Sequence, residues 1–268
     1  MSASPSVLLP LSAIVTKLRA AGCVFAEDEA ELLLSAARTP DELDAMVGRR
    51  VAGLPLEHVV GWAEFCGLRI AVDAGVFVPR PRTEFLVRHA TTLARPDSVV
   101  LDLCCGSGAV GAALAATLGA AARPELYAAD IDPAAVRCAR RNLAGTGGLV
   151  FEGDLYDPLP AALRGRVDVL VANAPYVPTE AIALLPPEAR EHEARVALDG
   201  GADGLDVQRR VTAEAPLWLA PGGSLLVETS ERQAPLTAAA FAREGLVPRI
   251  VGCEDLDATV VIGTRPAA

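Results

Sequence analysis

Asn173-Ala174-Pro175-Tyr176 follows directly on the apolar run Val167-Asp168-Val169-Leu170-Val171-Ala172. A buried strand that ends this way gathers an amide side chain, a backbone carbonyl and an aromatic ring at one sheet edge. Together they suit the holding of a planar NH2 group while its nitrogen is alkylated. The Asn173 side-chain oxygen and the carbonyl of Ala174 can each accept one of the two N–H bonds. Pro175 fixes its own φ and keeps residue 174 out of the helical region, so that carbonyl is not consumed in a helix. Tyr176 offers a flat face to the planar group. Asn and Pro also punctuate ordinary turns after strands, so the tetrapeptide alone leaves both readings open.

A second constellation lies upstream. Ser98 to Leu103 reads as a buried strand, Cys104-Cys105-Gly106-Ser107-Gly108 as a turn, and Ala109 onward as the start of a small-residue helix. Gly106 and Gly108 let the backbone approach a ligand closely, because a β-carbon there would collide or demand an unfavourable φ. Asp102 stands at the strand's carboxyl end, where open α/β sheets bind their ligands. The next strand, Glu125 to Ala129, ends in Asp130. A carboxylate there is placed to accept both hydroxyls of a ribose.

Gly106-x-Gly108-x-x-Gly111 also matches the dinucleotide fingerprint, with an acid about twenty residues beyond it. A nicotinamide dehydrogenase and a methyltransferase must therefore be compared. A pyrophosphate would sit in the field of the helix N-terminus. S-adenosylmethionine has no phosphate and carries an amino group and a sulfonium. Asp102, four residues before Gly106, favours the methyl donor over the dinucleotide.

The chain has 268 residues, about half of them apolar, enough for one large core and a small second domain. No stretch suits a bilayer span, and Met1 to Pro10 lacks the pattern of a secretory signal. The six cysteines show no Cys-x-x-Cys pair and read as reduced thiols of a cytoplasmic protein. Vicinal Cys104 and Cys105 are better explained as small residues lining the cofactor than as a redox or metal pair. His58, His89 and His192 are scattered and give no metal site. The net charge of −10 disfavours non-specific nucleic-acid binding, which draws its affinity from phosphate neutralisation. Arg137, Arg140 and Arg141 cluster, most simply as a solvated helix face.

Apolar residues recur at helical spacing from Leu11 to Met46, and Thr39-Pro40-Asp41-Glu42 reads as an N-cap with proline in the first turn. This defines a small helical domain over residues 1–53. Residues 54–82 form a connector with hairpin character, Phe65 to Val72 answering Val76 to Pro79 around a turn at Asp73-Ala74-Gly75. In residues 83–268 strands near 98–103, 125–129, 148–152, 167–172, 222–229, 246–252 and 258–263 alternate with helices near 83–94, 109–119, 133–144, 205–219 and 231–244. Alternation implies a mostly parallel sheet with helices on both faces. The last two strands are separated by four residues, too few for a parallel crossover, so they pair antiparallel or sit apart. A seven-stranded Rossmann-like sheet closing antiparallel is the α/β architecture of a class I S-adenosylmethionine-dependent methyltransferase.

Four blocks in order, Val76 to Glu84, Asp102 to Gly108, Asn173 to Tyr176 and Ala197 to Leu205, resemble the release-factor glutamine methyltransferase family. The match runs over roughly residues 54 to 264. The resemblance implies methyl transfer from S-adenosylmethionine to a glutamine side-chain nitrogen, the known target being the Gly-Gly-Gln loop of peptide chain release factors. It implies that Cys104, Cys105, Gly106, Ser107, Gly108 and Asp130 hold the cofactor, with Asp102 beneath and Asp154-Leu155 beside the adenine. Asn173, which also faces the cofactor, would hold the glutamine amide with Ala174, Pro175 and Tyr176, flanked by Thr83 and Glu84.

The chain departs from that family in four places. Asn-Ala-Pro-Tyr stands for Asn-Pro-Pro-Tyr, Cys104 for the first glycine of the turn and Arg82 for an acid, and the helical part is short. Ala174 keeps the backbone carbonyl, and a positive φ at Cys104 would cost roughly 1 kcal/mol or more. An amide nitrogen is a poor nucleophile, and no residue triad is visible to activate it, so positioning and electrostatics would carry the reaction. The same chemistry would serve an adenine or cytosine amino group drawn out of a stack. A non-catalytic cofactor binder or an NAD-dependent dehydrogenase is the third reading. Glu84 and Asp154 read equally as pocket residues or as local capping groups, Asp199 and Asp203 as turn formers, Asp132-Pro133 as a helix start and His192 as solvated.

Overall fold

The computed structural model describes residues 10–119 and 124–267, so Met1 to Leu9, where no secretory signal was expected, lie outside them. Four helices open the chain: α1 (Leu11–Ala20), α2 (Ala26–Ala36), α3 (Pro40–Val51) and α4 (Leu56–Val60). Thr39 caps α3 as its sequence implies, its hydroxyl accepting the Glu42 N–H at 3.1 Å, with Pro40 at the first helical position. Ile14, Leu18, Ala30, Leu33, Leu43, Met46 and Val59 bury one another, giving these helices a core of their own.

A hairpin follows, β1 (Trp62–Phe65) pairing antiparallel with β2 (Leu68–Ala71). The expected pairing of Phe65–Val72 with Val76–Pro79 is therefore wrong. Cys66 and Gly67, at φ 50° and 72°, occupy the two left-handed positions that a two-residue hairpin turn requires. Asp73-Ala74-Gly75 instead leads the chain out of the hairpin. Gly75 bridges to Glu193, and the Val78 N–H donates to the Glu193 carboxylate at 3.0 Å.

The remaining elements are α5 (Glu84–Leu93), β3 (Val99–Leu103), α6 (Ala109–Leu118), β4 (Glu125–Asp130), α7 (Pro133–Leu143), β5 (Leu149–Glu152), β6 (Val167–Ala172), α8 (Pro187–His192), α9 (Asp206–Trp218), β7 (Leu219–Thr229), α10 (Ala234–Arg243), β8 (Val247–Cys253) and β9 (Ala258–Thr264). Seven strands form one sheet in the order β5-β4-β3-β6-β7-β9-β8. All pairs are parallel except those of β9, which runs antiparallel to both neighbours. The short link from β8 to β9 allows nothing else.

Alternation along each strand feeds two cores. In β3, Val100 packs with α5, α6 and α7, whereas Leu101 and Leu103 pack with α9 and α10. Arg137, Arg140 and Arg141 lie exposed on α7. Among the described residues no helix is long and apolar enough to cross a membrane.

Candidate active site

β3 lies between β4 and β6, so the loops leaving all three carboxyl ends meet over one edge. Chain order reverses there, β4 lying to one side and β6 to the other, which leaves a crevice between diverging connections. A cleft opens at that point, lined by the turn after β3, by Asp130, by Asp154-Leu155, by Asn173 to Tyr176 and by Thr83. The sequence-derived site residues thus converge, with two exceptions considered below.

The turn after β3 needs left-handed backbone at three positions, Cys104 (φ 55°), Gly106 (φ 53°) and Gly108 (φ 77°). Gly106 donates its N–H to Asp130 at 2.8 Å, and no atom lies within 4 Å of where its β-carbon would stand. That open space faces the cleft. Cys104 takes the same region with a side chain, a strain of about 1 kcal/mol or more. Burial, and then the neighbouring Asp130 and Asp102, push both turn thiols far above the usual cysteine range, which leaves them un-ionised.

Asp102 is 2% exposed and accepts the Gly111 N–H at 3.0 Å, which ties β3 to the first turn of α6. Burial pushes its carboxyl up to about 7. Asp130 accepts N–H bonds from Gly106 and Asp132 on separate oxygens, at 2.8 and 2.9 Å. Each carboxylate oxygen has a second lone pair left for a ligand hydroxyl. Burial raises the Asp130 pKa, while those two N–H bonds oppose the rise.

Asn173 donates from Nδ2 to the Thr83 hydroxyl at 3.3 Å, which turns Oδ1 the other way. Among the described residues neither this oxygen nor the Ala174 carbonyl accepts a hydrogen bond from the chain. The loop is clamped from outside by the Ala197–Leu205 block. Val177 and Leu198 share a backbone bond, and the Tyr176 carbonyl accepts from Gln233 at 3.0 Å. A β-carbon on Gly200 would stand 2.7 Å from the Pro175 carbonyl oxygen, and one on Gly204 would overlap the Tyr176 carbonyl. Asp199 and Asp203 are turn formers, accepting the N–H groups of Gly201 and Leu205.

Glu84 does not join the site. Its carboxylate accepts the Cys66 N–H at 2.9 Å and so ties the start of α5 to the turn of the β1–β2 hairpin, a role that neither the pocket nor the helix-cap reading anticipated. Gly108 stands back from the cleft at the start of α6, where a β-carbon would meet Ala139 at 3.0 Å. Asp154 reaches the rim, paired with Arg210 at 2.7 Å, and Leu155 is held at φ 48°.

Sequence reasoning missed Glu228. It ends the apolar run of β7 just as Asp130 ends β4, and that parallel was the signal. Glu228 is 2% exposed, accepts the Tyr176 hydroxyl at 3.3 Å and lies 3.5 Å from Nε of Arg82. Arg82 itself lines the cleft. Also missed was the outer wall, Leu185 to Leu198, fastened by two charge clamps. Glu193 takes Arg80 at 2.7 Å, and Arg50 bridges Glu29 of α2 to Glu188 of α8.

The methyltransferase small domain family matches residues 67–188. The release factor glutamine methyltransferase of Geobacter sulfurreducens is 41% identical over 211 residues, 77% of this chain and 72% of its own. The 4-amino-L-phenylalanine/4-methylamino-L-phenylalanine methyltransferase of Streptomyces pristinaespiralis is 34% identical over 269 residues, 91% of this chain and 90% of its own. In fold, a methyltransferase from Pyrococcus furiosus superposes with a TM-score of 0.57 at 17% identity, over 83% of this chain and 98% of its own. The sheet order, the antiparallel β9 and these kinships identify a class I methyltransferase fold, and the chain belongs to the release factor glutamine methyltransferase family.

Proposed function

We propose that this protein transfers the methyl group of S-adenosylmethionine to the side-chain N5 of a glutamine, in the Gly-Gly-Gln loop of a peptide chain release factor. The observation that carries this is the pair of acceptors that take no hydrogen bond from the described chain, Asn173 Oδ1 and the Ala174 carbonyl, on two residues that line the cleft holding the glycine turn and Asp130. The cofactor fits that turn: Gly106 leaves room for it, and Asp130 keeps lone pairs for a ribose. When bound, it supplies an electrophilic methyl on sulfonium.

The chain's own contribution is positional. Two acceptors take both N–H bonds of the amide, aim its nitrogen, and stabilise the positive charge it gains. Tyr176 and Pro175 restrict the plane of the amide. No group is needed to remove a proton before transfer, because the product nitrogen loses one afterwards. Orientation of this kind contributes up to roughly 7–11 kcal/mol. The N-terminal domain, residues 1–53, serves as the substrate-recognition unit, its α3 tied to the cleft wall through Arg50 and Glu188. A cytoplasmic site of action accompanies a release-factor substrate.

A second reading rests on the Streptomyces pristinaespiralis relative, whose similarity extends over the helical unit as well. An arylamine NH2 is planar and offers the same two N–H bonds. The test is a side-by-side kcat/KM measurement with a purified release factor and with 4-amino-L-phenylalanine. A preference for the protein supports the first reading, and a preference for the free amine replaces it with the second.

A further inference from the structure

Residues 173–205 link β6 to α9, beginning with the Asn173–Tyr176 motif and ending with the block that clamps it. The middle of that connection, residues 180–192, is held differently. Its two ends are fixed. The Thr179 N–H donates to the Gly201 carbonyl at 2.9 Å, and the Glu193 carboxylate takes the Val78 N–H at 3.0 Å and Arg80 at 2.7 Å. Between those anchors α8 buries a single side chain, Ala189, and Leu184 stands 86% exposed. One methyl group gives the hydrophobic effect little with which to hold a helix. Polar contacts add one tie. Among the described residues, only Glu188 joins the stretch to an element beyond its own flanks, accepting from Nη1 of Arg50 at 2.5 Å. Leu185 and Ala189 nevertheless line the cleft.

Arg50 is fixed before it reaches Glu188. Its guanidinium grips both oxygens of Glu29, at 2.6 and 3.1 Å, and Nη1 also donates to the Leu54 carbonyl at 3.0 Å. Arg50 and Glu29 are each 8% exposed, so this pair is buried and mutually compensated. The Glu188 side chain is 46% exposed. The bond thus joins a rigid, buried cation to a half-exposed acid on a thinly packed helix. Segments with few buried apolar contacts are the ones that open locally at small free-energy cost.

We propose that residues 180–192 form a flap over the cleft, and that Arg50 is the positioning residue that latches it closed through Glu188. The proposal rests on the reading that the amine-bearing substrate occupies this cleft, and applies to a glutamine amide and an arylamine alike. Closed, the flap adds Leu185 and Ala189 to the surface that holds the substrate. Released, it withdraws them, and apparent substrate affinity falls with the closed fraction. Neither Arg50 nor Glu188 lines the cleft, so the pair acts only through the flap. The glycine turn and Asp130 follow β3 and end β4, outside the flap, so cofactor affinity is independent of the latch.

Arg50→Ala would strand the buried Glu29 carboxylate and endanger the fold, so the latch is broken from the half-exposed side. In Glu188→Ala, KM for the methyl acceptor is expected to rise about fivefold or more, with kcat and adenosylhomocysteine affinity within about twofold of native. Glu188→Gln keeps an acceptor oxygen for Arg50 and should recover part of that loss. Hydrogen–deuterium exchange of the ligand-free protein gives a readout that needs no substrate. Peptides over residues 180–192 should exchange faster in Glu188→Ala, while those of α2 and α3 keep the native rate. Unchanged KM, or unchanged exchange over 180–192, would overturn the latch. Protection lost through α2 and α3 as well would also overturn it, by making Glu188 a support of the helical unit. Faster exchange confined to the flap, in a protein whose native form methylates neither a release factor nor 4-amino-L-phenylalanine, would keep the latch and reject the functional reading instead.

Discussion

Asn173 at the end of β6 and Thr83 at the start of α5 share a hydrogen bond of 3.3 Å that decides which face of the Asn173 amide the cleft sees. In the proposed reading, the oxygen left over and the Ala174 carbonyl together form a two-point acceptor for an NH2 group. Asn173→Ala removes one of those points without disturbing the turn after β3. Turnover is expected to fall about 100-fold or more, as for loss of one preorganised group in an electrostatic site. Calorimetry should find adenosylhomocysteine affinity within about threefold of native. A parallel collapse of both quantities would mean that Asn173 supports the fold rather than the chemistry.

Asp130 holds the glycine turn with one oxygen and its own chain with the other. Asp130→Ala should weaken adenosylhomocysteine by about tenfold or more, the order of a lost hydrogen bond to a charged group. The measurement is a direct titration at fixed salt. Unchanged affinity would remove the ribose role.

Cys104 sits at φ 55° where glycine would be unstrained. Cys104→Gly relieves that strain but loosens the unfolded chain, for a net gain of about 0.5–1 kcal/mol. Thermal unfolding should move up by about 2 °C, near the range for a chain of this size. A fall in Tm would show that the thiol's packing outweighs its backbone cost.

Asp102 supplies the pH prediction. Its carboxyl is pushed up to about 7 by burial, from 3.8 in the unfolded chain. The folded state therefore holds the proton more tightly. Its contribution is complete below about pH 4 and is lost as pH rises through about 7. Asp102→Asn still accepts the Gly111 N–H and should flatten the fall in stability across that window. Urea midpoints of the ligand-free protein between pH 4 and 8 test this. An unchanged slope would assign the pH dependence to other groups.

Legibility in the sequence followed how local each cause was. β6 runs from Val167 to Ala172, as its apolar run implies, and Thr39 and Asp132 cap the helices their side chains announce. The antiparallel β9 followed from the length of one loop. The hairpin was misread because two turn signals, at Gly67 and Gly75, stood eight residues apart, and only the backbone shows that Cys66 joins Gly67 at positive φ. Glu84 reads equally as a pocket acid or a helix-cap acid in sequence, but its carboxylate goes to the Cys66 N–H of the hairpin, a partner that no local pattern names. Glu228 and the Arg50 clamp escaped because their partners lie 52 and 138 residues away, and no periodicity carries such a pairing.

The most direct test locates the methyl group. A recombinant release factor is incubated with the enzyme and S-adenosylmethionine, and intact mass and peptide fragmentation are read for the native protein and for Asn173→Ala. The expected result is one methyl on the glutamine of the Gly-Gly-Gln loop with the native enzyme, and almost none with the variant. A methyl on another residue type, or equal transfer by Asn173→Ala, would contradict the assignment of Asn173 and the Ala174 carbonyl as the groups that hold the reacting amide.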